Sequence, residues 1–113
     1  MANKSLRYVH ETALAAAEQA ALAAYAEHGD TGACGFGWVE IQVDGRSPTA
    51  RELRNLGWGK SWLPKTLQLW RPSQIGVQSI HVQEVGAQAY AETFNDLVPL
   101  GYDIKAYPCS RYD

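Results

Sequence analysis

Residues 34–43 of this chain read CGFGWVEIQV, and they decide the fold class because their apolar side chains recur with a period of two. The predicted strand presents one apolar face and one mixed face: Val39, Ile41 and Val43 point one way, and Phe36, Trp38, Glu40 and Gln42 the other. Alternation of this kind predicts a β-strand with its apolar side against a core. We therefore expect a sheet that has helices on at least one side.

The segment before this strand is predicted to be a helix over residues 5–28. It contains no proline or glycine and has nine alanines, and Gly29 supplies its stop. Leu6, Val9 and several of the alanines recur at helical spacing and form a narrow stripe of mostly small side chains. Such a stripe suits an intrachain contact or a dimer seam, so a monomer and a homodimer both stay open.

Turn and capping signals divide the rest of the chain. Ser47 and Pro48 are typical of a helix start, and Gly57, Pro72 and Pro99 are typical of element ends. The further elements predicted are a helix over residues 48–56, a strand over 65–70, a helix over 80–97 and a strand over 102–107. The order α-β-α-β-α-β predicts one small α+β domain over residues 1–113, with a three-stranded sheet packed by helices. A right-handed parallel crossover is favoured between the second and third strands.

The sheet face turned away from the helices is predicted to mix aromatic and polar groups. Its members are Trp38, Glu40, Gln42, Gln68, Trp70, Lys105 and Tyr107. Three interpretations remain open for this face. The first is an open platform for stacking bases, the second is the covered side of a three-layer sandwich, and the third is a self-association surface.

Composition excludes several classes of protein. The chain has 113 residues, 46% of them hydrophobic and 19% charged, which is typical of a globular domain. It has no apolar run long enough for a membrane span. Glu11 and Glu18 interrupt the apolar part of the first 22 residues, so this part reads as an amphipathic helix rather than a signal peptide, and we expect a cytoplasmic location. A formal net charge of -2 argues against a uniformly basic DNA-coating protein.

The small net charge conceals an uneven distribution. Residues 46–71 hold six basic residues and one acid, a net charge of +5, while the remainder carries four basic and eleven acidic residues, a net charge of -7. Three of the four tryptophans lie in the basic segment. The predicted ligand- or partner-binding residues are Arg46, Arg51, Arg54, Trp58, Lys60, Trp62 and Trp70. The competing interpretation is a solvated arginine face with the tryptophans in the core.

No catalytic set, metal site or cofactor site is predicted. Cys34 and Cys109 lack CxxC spacing, and the three histidines are isolated from one another in sequence. We expect two free thiols in a reducing compartment. A cysteine-dependent enzyme is a minor alternative, with Cys34 as nucleophile and His10, His28 or His81 as its base.

Three stretches resemble small, uncharacterised accessory proteins encoded in bacteriophage and prophage genomes: GACGFGWVEI at 32–41, RELRNLGWGKSWLPKTLQLW at 51–70 and GYDIKAYPCSRYD at 101–113. The resemblance implies a non-enzymatic binding protein that inhibits or modulates a host factor, such as a defence component, in the bacterial cytoplasm. Its partner would be a host protein or a small anionic ligand such as a nucleotide signal. The residues themselves suggest a second function, a nucleic-acid or nucleotide binder acting through the basic, tryptophan-rich segment 46–71.

Overall fold

The computed structural model of this protein describes residues 5–30 and 32–112. It contains three helices: α1 (Leu6–His28), α2 (Pro48–Asn55) and α3 (Ile80–Leu97). The strands are β1 (Gly35–Gln42), β2 (Gly59–Lys60), β3 (Thr66–Trp70) and β4 (Ala106–Tyr112). The predicted α+β class is confirmed, but the sheet has four strands where three were expected.

The strands form one antiparallel sheet in the order β2-β3-β1-β4, with β1 paired on both sides. β3 and β4 run in the same direction because both are antiparallel to β1. They are therefore parallel to each other, as the expected crossover requires, and β1 lies between them in the sheet. From β1 onward the element order β-α-β-β-α-β and this strand order match the split β-α-β arrangement, which is also called ferredoxin-like.

The predictions failed for two strands, β2 because it is very short and β4 because it contains a proline. β2 has only two residues and lies in the glycine-containing segment after α2, so it leaves no periodic signal. The last strand was expected over 102–107 but runs from Ala106 to Tyr112, with Pro108 inside it. Proline is tolerated there because β4 is an edge strand, where a missing backbone N–H need not break the ladder.

The helix predictions are confirmed because their signals are local. Ser5 and Ser47 cap α1 and α2, and each hydroxyl accepts a hydrogen bond of 3.1 Å from a backbone N–H three residues later. Gly29, with a φ of 69°, follows the last residue of α1. α2 ends at Asn55, one residue before the expected end.

The core lies between the helices and the apolar face of the sheet. Val39 and Ile41 of β1 are fully buried, as their alternation predicts, in one cluster with Tyr90 and Phe94 of α3. The small-residue stripe of α1 contributes to the same cluster: Leu6, Val9, Ala13 and Ala17. Among the described residues, no helix has the length and apolar character needed to cross a membrane.

Two glycines allow unusually close packing around α3. A Cβ built on Gly37 of β1 would lie 2.5 Å from the backbone oxygen of Gln83 in α3. At Gly86, a Cβ would lie 2.8 Å from the Cβ of Ser73 and 3.6 Å from the backbone oxygen of Ala17 in α1. The close approach of α3 to β1 therefore depends on the absence of a side chain at position 37.

We predict that Gly37→Ala lowers the free energy of unfolding by about 1–3 kcal/mol, because the added methyl group overpacks a backbone contact. Urea denaturation followed by far-UV circular dichroism measures this change. Gly59→Ala is the matched control, since a Cβ on that strand glycine meets nothing within 4 Å. Equal stability losses in the two variants would contradict the assignment of a packing role to Gly37.

A buried polar pair joins α1 to α3. Nδ1 of His10 lies 2.6 Å from the hydroxyl oxygen of Tyr90, and His10 is only 5% exposed. Burial lowers the pKa of His10, partly opposed by the charge of Glu11, and burial raises the pKa of Tyr90. The folded state therefore favours a neutral imidazole.

This pair predicts a pH-dependent stability. Because the folded-state pKa of His10 is below the ordinary value of 6.5, the unfolded chain binds more protons as the pH falls through that value. The contribution to stability is complete above pH 6.5 and is lost below it. Urea midpoints measured between neutral and mildly acidic pH should fall less steeply for His10→Gln than for the wild type, and equal slopes would refute the role of His10.

Candidate functional site

The sheet face opposite the helices carries four aromatic side chains, which we call the aromatic face: Phe36, Trp38, Trp70 and Tyr107. Register places them together, because Trp38 pairs with Trp70 on one side of β1 and Tyr107 pairs with Glu40 on the other. Trp70 and Tyr107 are each 49% exposed. No described helix or strand covers this face, so the described part of the chain does not form a three-layer sandwich.

Three of these rings form a continuous stack. The rings of Trp38 and Trp70 are stacked, with centroids 4.9 Å apart and an interplanar angle of 28°. Phe36 meets Trp70 edge to face, with centroids 5.9 Å apart. Such contacts hold the rings in place while the outer surface of Trp70 stays open. The stack is therefore a preformed aromatic surface on the two central strands.

Polar groups surround the stack. The indole Nε1 of Trp38 donates to a carboxylate oxygen of Glu40 at 2.9 Å, which orients the ring. Arg111 pairs with Phe36 in the β1–β4 ladder, and the ammonium of Lys105 lies 5.4 Å from the ring centroid of Tyr107. Positive charge thus lies next to the aromatic rings, with one carboxylate among them.

A cavity of about 540 Å³ continues the aromatic face at the start of β1. We call it the groove, and its lining includes the rings of Phe36 and Trp70, the side chains of Arg71 and Gln78, and Cys34. Its volume lies within the range of small-molecule sites. The groove therefore combines a stacking surface with a cation and an amide.

Hydrogen bonds of the buried Gln83 side chain and of Asp30 hold the loop that forms one wall of the groove. The Gln83 side chain donates from Nε2 to the carbonyl oxygens of Ile75 at 3.2 Å and Val77 at 2.8 Å, and its Oε1 accepts from the Ser73 hydroxyl. The Asp30 carboxylate accepts from the backbone N–H groups of Gln78 and Ser79 at 3.0 and 2.8 Å. These bonds fix the loop and leave the groove preformed.

The structure divides the basic segment predicted as one binding region. Trp70 lies on the aromatic face, but Trp58 is 3% exposed and packs against Tyr90 and Phe94, with ring centroids 6.0 and 6.5 Å away. Its assignment as a binding residue is therefore corrected to a core role, which the competing interpretation anticipated. Trp62 is 84% exposed and belongs to neither the stack nor the groove.

The basic residues of the predicted site are also dispersed. Arg46 and Arg51 are exposed, and they line neither the groove nor the cavity that contains Arg54 and Lys60. Arg54 and Lys60 line a second cavity of about 350 Å³ together with Lys65. We call this cavity the basic pocket. It lies near the end of β1, whereas the groove lies at the start of the strand.

Sequence reasoning placed most of the aromatic face correctly but missed Arg111 and Gln78. Arg111 was missed because the last strand was expected to end before Pro108. Gln78 lies in an irregular segment without periodicity, and long-range contacts bring it to β1: the N–H of Gly35 donates to its carbonyl oxygen at 3.0 Å, and Cys34 forms a β-bridge with Ser79. No sequence signal identifies it.

Both cysteines are free, as expected, and they lie apart in the β1–β4 ladder because Cys109 pairs with Trp38. The Cys34 thiol is exposed and donates to Oε1 of Gln78 at 3.7 Å. Burial, and secondarily the charge of Glu40, raises the pKa of Cys109 to about 11, which keeps this thiol protonated at neutral pH.

The three histidines contact other aromatic rings. His10 bonds to Tyr90, and the rings of His28 and His81 contact each other with centroids 5.1 Å apart. Within the described residues, no group of three or more His, Cys, Asp or Glu side chains is arranged to hold a metal ion.

Comparisons with protein-family models, curated proteins and solved structures give no significant match. The resemblance to phage-encoded proteins therefore stays a prediction.

The two tryptophan environments predict different stabilities. Trp58→Ala removes a ring from the core and should lower the free energy of unfolding by about 3–5 kcal/mol. Trp70→Ala truncates a half-exposed ring and should cost about 1 kcal/mol, the typical effect of a point mutation. Chemical denaturation of both variants measures the difference, and a loss for Trp70→Ala as large as that for Trp58→Ala would show that the aromatic face is part of the core.

Proposed function

We propose that this chain is a non-enzymatic binding protein, and that it binds single-stranded nucleic acid or nucleotides on the aromatic face. The observation that carries the proposal is the stacked pair of Trp38 and Trp70, held on the two central strands with the outer ring half exposed. Every base has a π face, so an exposed indole stacks on bases with little sequence preference.

The position of the rings in the sheet supports this ligand class. RNA-recognition motifs stack two or three bases on aromatic side chains of a four-stranded sheet. The present sheet has four strands, helices behind it and aromatic residues on neighbouring central strands. This likeness is one of arrangement, and it supports the proposal without assigning any residue a role.

Cations beside the rings supply partners for phosphate. Arg71 lines the groove, and its backbone N–H donates to the carbonyl oxygen of Gly37 at 3.0 Å. Arg111 pairs with Phe36, the residue before Gly37 in β1. Neither arginine forms an ion pair within the described residues. Because Glu40 repels phosphate from the centre of the face, we expect the backbone of the ligand to follow the edge marked by the two arginines.

A second candidate is the host-factor inhibitor expected from the resemblance, acting in the bacterial cytoplasm. The same face favours it, because tryptophan, tyrosine and arginine are enriched at the centres of protein interfaces. Under this proposal a host protein covers Trp70 and Arg111. The two candidates share a surface and differ in the chemistry of the ligand.

The leading proposal predicts that the wild type binds a short labelled oligothymidine at low salt in fluorescence anisotropy. Trp70→Ala should weaken this binding by about fivefold to a hundredfold, because one base–indole stack contributes about 1–3 kcal/mol. Arg111→Gln should reduce the slope of log affinity against log salt by about 0.7.

Trp62→Ala is the matched control, since this variant removes an 84% exposed indole that lies outside the stack. It should bind as the wild type does. Undetectable binding by the wild type at low salt, or equal losses in Trp62→Ala and Trp70→Ala, would refute the nucleic-acid proposal. Capture of a bacterial protein by the wild type but not by Trp70→Ala would then favour the host-factor candidate.

A further inference from the structure

The basic pocket brings together three cations from different elements. Arg54 belongs to the last turn of α2, Lys60 to β2, and Lys65 to the turn that joins β2 to β3. No acidic side chain lines the cavity. Within the described residues, none of the three cations forms an ion pair with Asp or Glu. Like charges repel, so their convergence without a carboxylate is typical of an anion site.

The acids nearest in sequence are engaged elsewhere. Both carboxylate oxygens of Glu52 accept from the Tyr102 hydroxyl, at 2.9 and 3.0 Å. Asp44 accepts from the backbone N–H of Arg46 at 3.0 Å. Within the described residues, neither carboxylate forms an ion pair with a cation of the pocket.

The guanidinium of Arg54 and the backbone of Lys65 are held in place. Nη1 of Arg54 donates to the carbonyl oxygen of Gly45 at 3.0 Å, which anchors the guanidinium and leaves its other donors for a ligand. Lys65 has a φ of 53°, a conformation rare for lysine, and its carbonyl oxygen accepts from the N–H of Val43 at 2.9 Å. The fold thus maintains a strained backbone at a residue that lines the pocket.

We propose that the basic pocket binds a small phosphorylated molecule through its phosphate group. Arginine presents paired donors that match phosphate oxygens, and lysines add compact positive charges. The rest of the lining is mostly apolar: it includes Val43, Leu63 and Leu67, together with Gly45 and Thr66. A volume of about 350 Å³ is at the lower end of the range for small-molecule sites. The pocket therefore accommodates a phosphate together with a small apolar body.

This site is separate from the aromatic face and does not rest on the proposed function. Leu67 of the pocket and Trp70 of the aromatic face lie three residues apart on β3, a separation of roughly 10 Å at about 3.3 Å per residue. Substitutions at such a distance, with no shared partners, usually act independently. Trp70→Ala should therefore bind phosphate compounds as the wild type does, even if oligonucleotide binding is lost.

Titrations with pyrophosphate, inorganic phosphate and phenyl phosphate at low ionic strength test the proposal by calorimetry and by NMR of the backbone amides. We expect saturable binding at one site, with the largest shifts in residues 60–67. Phenyl phosphate should bind more tightly than inorganic phosphate because its ring contacts the apolar lining. Equal affinities for these two ligands would overturn the apolar part of the proposal, and shifts spread evenly over the basic surface would overturn the site.

Lys60→Gln and Lys65→Asn remove one charge each, and asparagine tolerates the left-handed backbone at position 65. Each should weaken pyrophosphate binding by about tenfold or more, because a charge-assisted hydrogen bond is lost. Arg46→Gln is the control, since it removes an equal charge from a residue outside the pocket. Losses as large in Arg46→Gln as in the two lysine variants would overturn the proposal. Thermal melts establish that each variant is folded. The amide shifts of the wild type on titration test the location of the site without any variant.

Discussion

At Gly37 the central strand and α3 approach so closely that a single methyl group would lie 2.5 Å from the carbonyl oxygen of Gln83. The consequences of this contact extend through the molecule. α3 carries Tyr90 and Phe94 into the core, and its Gln83 side chain holds the loop that forms one wall of the groove. A wider separation would loosen the core and the groove together. The glycine-rich start of β1 thus has a packing function, and it also determines the shape of the candidate site.

The alternation of β1 links stability to the proposed binding surface. Val39 and Ile41 must face the helices, and the pleat then places Trp38 on the opposite side. A shift of one residue in register would exchange the two faces, so burial of the apolar side chains also specifies the location of the aromatic ones. Trp70 joins the stack because it is the register partner of Trp38. The exposed rings therefore follow from how the core is built.

The elements with local signals could be predicted from the sequence, and those that depend on tertiary contacts could not. Capping by Ser47 and the period of β1 depend on neighbours a few residues away, and both were predicted correctly. β4 accommodates Pro108 because this strand lies at the edge of the sheet. Its edge position depends on the topology of the sheet and not on the local sequence. Trp58 and Trp62 are four residues apart in the same basic segment, yet one is buried and the other exposed. Trp58 is buried because it packs against Tyr90 and Phe94 of α3, and the local sequence does not show this tertiary contact.

The positive character of the basic segment survives folding because the acids are used for other purposes. Asp30 accepts two backbone N–H groups at the start of α3, Asp44 accepts one in the turn before α2, and Glu52 bonds to the Tyr102 hydroxyl. These carboxylates stabilise turns and helix ends instead of pairing with arginine or lysine. A carboxylate that accepts such a bond keeps its negative charge, so it lowers the positive potential of cations within about a Debye length without pairing with them. Within the described residues, Arg54, Lys60 and Lys65 have no carboxylate partner in an ion pair, and the proposed phosphate would supply that partner.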